Sequence, residues 1–187
     1  MVHDVLNFVA FPKISRFSRD ILITEKIDGT NAQIRILLRA EVPQEELDNP
    51  SAPFFSVSAK GIDYIILVGS RNKWISENDD NAGFAKWVSK NREELVTLGP
   101  GSHFGEWWGS GIQRGYGLPK GEKRWSLFNT SRWCEHFKEL DVGQSYAPAC
   151  CHVVPTIYKG TFVTAAVDAA IDTLRRLGSL ASPGYMN

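Results

Sequence analysis

In Thr24-Glu25-Lys26-Ile27-Asp28-Gly29-Thr30-Asn31, a lysine stands where a β-prone apolar run, Ile21 to Lys26, passes into a glycine-containing turn. An amine emerging beside a sheet interior loses hydration, and lost hydration or a neighbouring cation favours the neutral, nucleophilic form. Asp28 adds a carboxylate, and Gly29 a backbone that permits close approach and unusual dihedrals, a combination suited to an incoming nucleotide. The same eight residues also read as a hairpin turn with an exposed lysine, and their spacing leaves both readings open.

Other chemistry has weaker support. Gly109-Ser110-Gly111-Ile112-Gln113-Arg114-Gly115 is glycine-rich, but its last glycine falls one residue late for a dinucleotide fingerprint. No Gly-x4-Gly-Lys-Ser/Thr segment exists for a P-loop, and His3, His103, His136 and His152 are too scattered to argue a Ser-His-Asp set. Cys134, Cys150 and Cys151 form neither a disulfide framework nor paired CxxC spacing. With His136 and His152 nearby they can be imagined as a zinc site, but buried thiols in strand-like surroundings are the preferred reading, and a reducing compartment fits. Arg114, Lys120, Lys123 and Arg124, interleaved with Tyr116 and Trp125, read either as a nucleic-acid-binding surface or, preferably, as a solvated loop.

The elements that must hold these residues alternate short strands with a few helices. A chain of 187 residues, 43% hydrophobic and 22% charged, fits one globular domain over 1–187. It has no apolar run near the ~20 residues that span a bilayer. Met1 to Arg19 lacks the apolar stretch of a signal peptide, so the expected location is cytoplasmic. Lys plus Arg and Asp plus Glu balance at 21 each, which excludes a global basic field and leaves any RNA contact to local patches. From Ala32 the residues Ala32, Ile34, Ile36 and Leu38 alternate with Gln33, Arg35 and Arg39, so strands flank Asp28-Gly29. Further strands are predicted at Phe54 to Ser58, Tyr64 to Val68, His103 to Trp108, Arg124 to Phe128 and His152 to Val154, mainly antiparallel. Phe84, Trp87, Val88 and Leu95 have helical spacing after a cap at Asp79, Asp80 or Asn81, and the helix ends before Gly99-Pro100-Gly101. A second helix, about Phe162 to Leu177, places Val163, Ala166, Val167, Ala170, Ile171 and Leu174 on an apolar stripe for packing on a sheet. Glu41 to Pro53 reads as an exposed loop.

On these residues the chain resembles the covalent nucleotidyltransferases, whose ligase and capping members share Lys-x-Asp-Gly at the attacking lysine. Here it is Lys26-Ile27-Asp28-Gly29, and the Thr30-Asn31 that follows is typical of the RNA ligase branch, where DNA ligases and capping enzymes usually carry arginine. Ser70-Arg71-Asn72 resembles the family's arginine segment. Phe104-Gly105-Glu106-Trp107-Trp108-Gly109 resembles Gly-Glu-x-x-Gly, and Trp125-Ser126-Leu127-Phe128-Asn129 the strand bearing an adenine-stacking aromatic. The resemblance runs from about Phe11 to Asn129.

The resemblance implies an α+β nucleotidyltransferase (ATP-grasp-like) domain, mainly antiparallel sheets flanked by helices. It also implies an ATP-dependent RNA ligase using Mg2+, in which Lys26 takes AMP, passes it to an RNA 5′-phosphate, and a 3′-hydroxyl seals the strand. Arg71 would meet the nucleotide's sugar and phosphate, Glu106 its ribose and Phe128 its adenine, with Glu25, Ile27, Asp28, Gly29 and Asn31 completing the cofactor-binding set; the metal ligands stay unassigned. A DNA ligase, a GTP-using capping enzyme and a non-catalytic nucleotide- or RNA-binding fragment are the alternatives. The family's later Glu-Gly-apolar strand and two-lysine strand are not found before Asn187. The expectation is therefore a domain incomplete at its C-terminus, slowed for want of countercharges on pyrophosphate, with a sheet edge able to pair with a second copy.

Overall fold

The computed structural model describes residues 19–49 and 53–186. The signal-peptide reading up to residue 18, His3, the start of the family resemblance at Phe11, residues 50–52 of the expected loop and Asn187 lie outside them. In chain order the elements are β1 (Asp20–Thr24), β2 (Thr30–Leu38), α1 (Gln44–Leu47), β3 (Phe54–Ala59), β4 (Ile62–Gly69), β5 (Trp74–Ile75) and α2 (Phe84–Leu95). They continue with β6 (Gly101–Gly109), β7 (Lys123–Leu127), β8 (Trp133–Cys134), β9 (Ser145–Tyr146), β10 (His152–Val153), β11 (Thr156–Thr161) and α3 (Thr164–Leu177). The architecture is α+β, and no helix among the described residues is long and apolar enough to cross a membrane.

β2 is the centre because its alternation is the cleanest: Ala32, Ile34 and Ile36 are fully buried while Arg35 between them is exposed. Among the described residues it belongs to a seven-stranded sheet of order β10-β7-β6-β2-β4-β3, with β5 also on β4. Its pairs are antiparallel except β10 with β7. One face is roofed by α2, where Phe84 and Trp87 meet Trp107 and Trp125 at ring-centroid distances of 5.4–5.9 Å. Burying Phe84 alone is worth about 1.5–3 kcal/mol. Three buried indole N–H groups have acceptors: Trp107 donates to the Ala82 carbonyl, Trp108 to Ser126 Oγ and Trp125 to the Ala32 carbonyl. Asp80, one of the expected caps, accepts from the Ala85 and Lys86 N–H groups across a start set by Gly83 in the left-handed region.

The structure departs from the expected layout in four places. β1 and β2 do not pair: β1 runs antiparallel to β11 in a separate two-stranded ribbon, so residues 25–29 cross between sheets and form no hairpin turn. β11, absent from the predicted strands, supplies that partner. In the expected loop Glu41 ends a short 3-10 turn begun at Arg39 and Gln44–Leu47 form α1, with no buried residue in either. Of the α3 stripe only Ala166 and Ala170 are buried, while Val163 and Ile171 are 50% and 45% exposed, because α3 packs on the narrow ribbon rather than on the main sheet.

The face opposite α2 carries several of the candidate residues. Register places Asn31 opposite Glu106 and Glu106 opposite Ser126; one step along, Gln33 lies opposite both Gly69 and Phe104. A further step puts Arg35 opposite Leu67 and Ser102. Since alternate residues share a face, these form successive rows about 7 Å apart on one surface.

Candidate active site

Lys26 lies on the crossover between the two sheets, and its neighbours pin it. Glu25 and Ile27 are only 6% and 3% exposed, so both side chains turn inward while that of Lys26 turns out. Ile27 packs with Trp108, Tyr116 and Val154. The Glu25 N–H donates to the Pro155 carbonyl at 2.9 Å. Its carboxylate accepts from Ser179 Oγ at 2.6 Å and from the Leu180 and Ala181 N–H groups at 2.8 and 3.0 Å. Those two side chains therefore anchor the lysine's segment. Lys26 itself is exposed, so the loss of hydration anticipated for its amine does not occur.

Asp28 donates its N–H to Tyr116 Oη at 2.6 Å and pairs with Arg114 Nε at 3.1 Å, both side chains about half exposed. The Gly29 N–H donates to Glu106 Oε1 at 3.0 Å. A Cβ on Gly29 would collide with the Trp107 carbonyl oxygen and lie 2.8 Å from the Trp108 Cβ. Gly29 has no positive φ, so the glycine is required by contact with β6 and not by an unusual dihedral.

Burial pushes the Glu106 carboxyl above the usual glutamate range, while the Gly29 N–H, Lys26 and Arg71 pull it down and Asp28 pushes it further up. Lys26, Asp28 and Arg71 thus share the electrostatic neighbourhood of Glu106. Arg71 reaches it from the turn closed by the Ser70 N–H to the Lys73 carbonyl at 2.9 Å, just beyond β4. Asn31 faces Glu106 across β2 and β6. Phe128 sits one residue past β7, 41% exposed, its N–H donating to the Phe104 carbonyl at 3.0 Å. It lies on the same face, one row from Glu106, about 7 Å along the strand.

The structure also ties to the crossover Tyr116, which sequence reasoning met only as part of the basic stretch, and Ser182, which it left out. Tyr116, held at φ +51 between two glycines, touches Trp108 edge-on at 5.1 Å and Tyr185 at 5.1 Å. Ser182 Oγ donates to the Tyr116 carbonyl at 2.8 Å. Glycines on both sides of a tyrosine were the one available signal. In the basic stretch around it Tyr116 and Trp125 are buried, Arg124 pairs with Glu122 and lies over Trp108, and Lys123 donates to the Ala82 carbonyl. Cys134 and Cys151 are buried, and Cys150 Sγ lies 3.8 Å from Cys151 Sγ. No three His, Cys, Asp or Glu side chains form a metal cage among the described residues. A cleft of about 520 Å3 between β1 and the segment after β7 contains none of the candidate residues.

An exposed lysine fixed between two buried neighbours, beside a carboxylate, two arginines and an aromatic ring, can present an amine to a phosphate held on the sheet face. The family model described as RNA ligase matches residues 19–182. No curated protein and no solved structure matches the chain. The matched residues take in the crossover, the open sheet face and the segment that clamps Glu25, and the chain belongs to the RNA ligase family.

Proposed function

We propose that the chain is the adenylylation domain of an ATP-dependent RNA ligase with Lys26 as its nucleophile. The observation that supports this most is the setting of Lys26: an exposed amine whose two neighbours are buried, next to Glu106. In this reading Lys26 Nζ attacks the α-phosphorus of ATP, the bond to pyrophosphate breaks, the amine gives up a proton, and a lysyl-AMP phosphoramidate forms. An RNA 5′-phosphate oxygen then displaces the lysine. An RNA 3′-hydroxyl finally attacks that 5′-phosphorus and releases AMP.

The residues divide the work by chemistry. Phe128 stacks on adenine, an interaction worth about 1–3 kcal/mol per base. Glu106, facing Asn31, accepts from the ribose hydroxyls, and Arg71 meets the sugar and phosphate. Glu25 and Ile27 hold the lysine in place, and Gly29 keeps the crossover against β6. Mg2+ is commonly bound by one or two carboxylates plus substrate phosphates, and Asp28 and Glu106 offer that donor set beside Lys26. Bound there, the ion would offset charge on the phosphate oxygens.

Intact-mass spectrometry after incubation with ATP and Mg2+ tests the reading. The protein should gain the mass of one AMP, and Lys26→Ala should gain none. An adduct from GTP instead would point to a capping enzyme, and ATP binding with no adduct to a binding module.

A further inference from the structure

Phe104 has no role in the reaction described so far, yet it is 48% exposed. It lies directly across from Phe128 on neighbouring strands, joined by the Phe128 N–H to Phe104 carbonyl hydrogen bond at 3.0 Å. The two rings therefore share the face and the row, one step from Glu106. Exposed aromatic side chains in register on a sheet are a hydration liability unless something stacks on them. In the next row out stands Arg35, exposed and in no ion pair among the described residues. Both rings also border a cleft of about 210 Å3, with Ser102, Asn129 and Arg132 on its walls. Flat apolar rings followed by unpaired or rim-placed guanidinium groups match the alternation of bases and phosphates in a single strand.

We infer that Phe104 and Arg35 form a subsite for single-stranded RNA that widens the Phe128 platform sideways along its row and continues one row further out at Arg35, Phe104 stacking on the base at the 5′-phosphate end and Arg35 meeting a backbone phosphate. The inference rests on the ligase reading for the identity of the strand. It adds that adenine and the first RNA base occupy adjoining rings, so that the 5′-phosphate is delivered beside the lysyl-AMP.

The test uses a 5′-phosphorylated RNA oligonucleotide with 2-aminopurine as its first base, titrated without ATP. The wild-type chain should quench the fluorophore on binding. Phe104→Ala should lose the quench and bind about 5- to 150-fold more weakly, and Phe104→Tyr should restore both. Arg35→Gln should lower the dependence of log affinity on log salt by about 0.7, one phosphate's worth on a single strand. Lys26 adduct formation from ATP should fall by clearly less than RNA binding in Phe104→Ala, because in this reading adenine stacks on Phe128 and the RNA base on Phe104. Quenching by Phe104→Ala equal to wild type, or equal loss of adduct and RNA binding in that variant, overturns the subsite. Failure of the wild-type chain to bind the RNA also overturns it and leaves the face to a protein partner. Since the titration needs no ATP, absence of the lysyl-AMP adduct would sink the ligase reading without touching this result.

Discussion

Glu106 shows how a single residue's environment sets a pH dependence. Its carboxyl is pushed above the usual glutamate value of 4.5 by burial, and the nearby Lys26 and Arg71 only partly offset this. In the proposed reading Glu106 accepts from ribose hydroxyls, and the ionised form is the stronger acceptor. A raised carboxyl begins to protonate at a higher pH than a surface glutamate, so as pH falls the rate of lysyl-AMP formation should decline at a pH above 4.5. Glu106→Gln should lower the rate by about 10- to 100-fold, the loss of one charged hydrogen-bond acceptor, and should flatten that acid limb; single-turnover rates across the acid range measure both. A limb unchanged in the variant would assign it to another group. At this scale the sequence is informative about which residues lie together and less so about what holds them there. Lys26, Asp28, Arg71 and Glu106 come together in space, but the need for glycine at 29 came from the Trp107 carbonyl across a strand interface that no local pattern reveals.

At the scale of elements, the crossover 25–29 is held from both sides, by β6 through Gly29 and by the segment after α3 through Glu25. A buried carboxylate with one hydroxyl and two backbone donors is fully satisfied, and removing it strands those donors. Glu25→Ala should therefore destabilise the fold by about 3 kcal/mol in urea unfolding and speed amide exchange at Leu180 and Ala181 before the rest of the chain opens. Uniform exchange across the molecule would argue against a local clamp. β2 was legible because a strand buried on one face shows strict alternation. β11 was not, since Thr156–Thr161 buries neither face of its ribbon deeply and its burial follows no such alternation. The pairing of β1 with β11 was hidden for a different reason: β-prone residues announce a strand but do not name a partner so distant in sequence. The α3 stripe was read correctly as amphipathic and packed on strands, but the narrow ribbon beneath leaves Ile171 exposed, because periodicity reports a helix's faces and not the width of what lies beneath.

For the whole molecule, the balance of 21 acids and 21 bases conceals specific ties between its parts. Glu135, just beyond β8, joins the small β8–β9 pair to the edge strand of the main sheet. Its Oε1 accepts from the Val153 N–H at 3.3 Å and lies 3.5 Å from His152 Nδ1, and Oε2 lies 3.3 Å from Lys138 Nζ. Chiefly through His152, and further through Lys138 and the Val153 N–H, the carboxyl is held down at about 2 against an ordinary 4.5. A depressed acid contributes stability that is complete above the unfolded value and is lost as pH falls toward the folded one, here between 4.5 and about 2. The side chain is 29% exposed and Lys138 is 56% exposed, so solvent screening leaves about 1–2 kcal/mol of the roughly 3 kcal/mol that the full shift would represent. Urea unfolding at pH 6 and again near pH 3 should show the wild-type chain losing about 1 kcal/mol more than Glu135→Gln over that interval, whatever the variant's stability at pH 6. Parallel losses in the two proteins would mean that the tie between β8 and β10 does not depend on this charge, and that acid weakens the fold somewhere else.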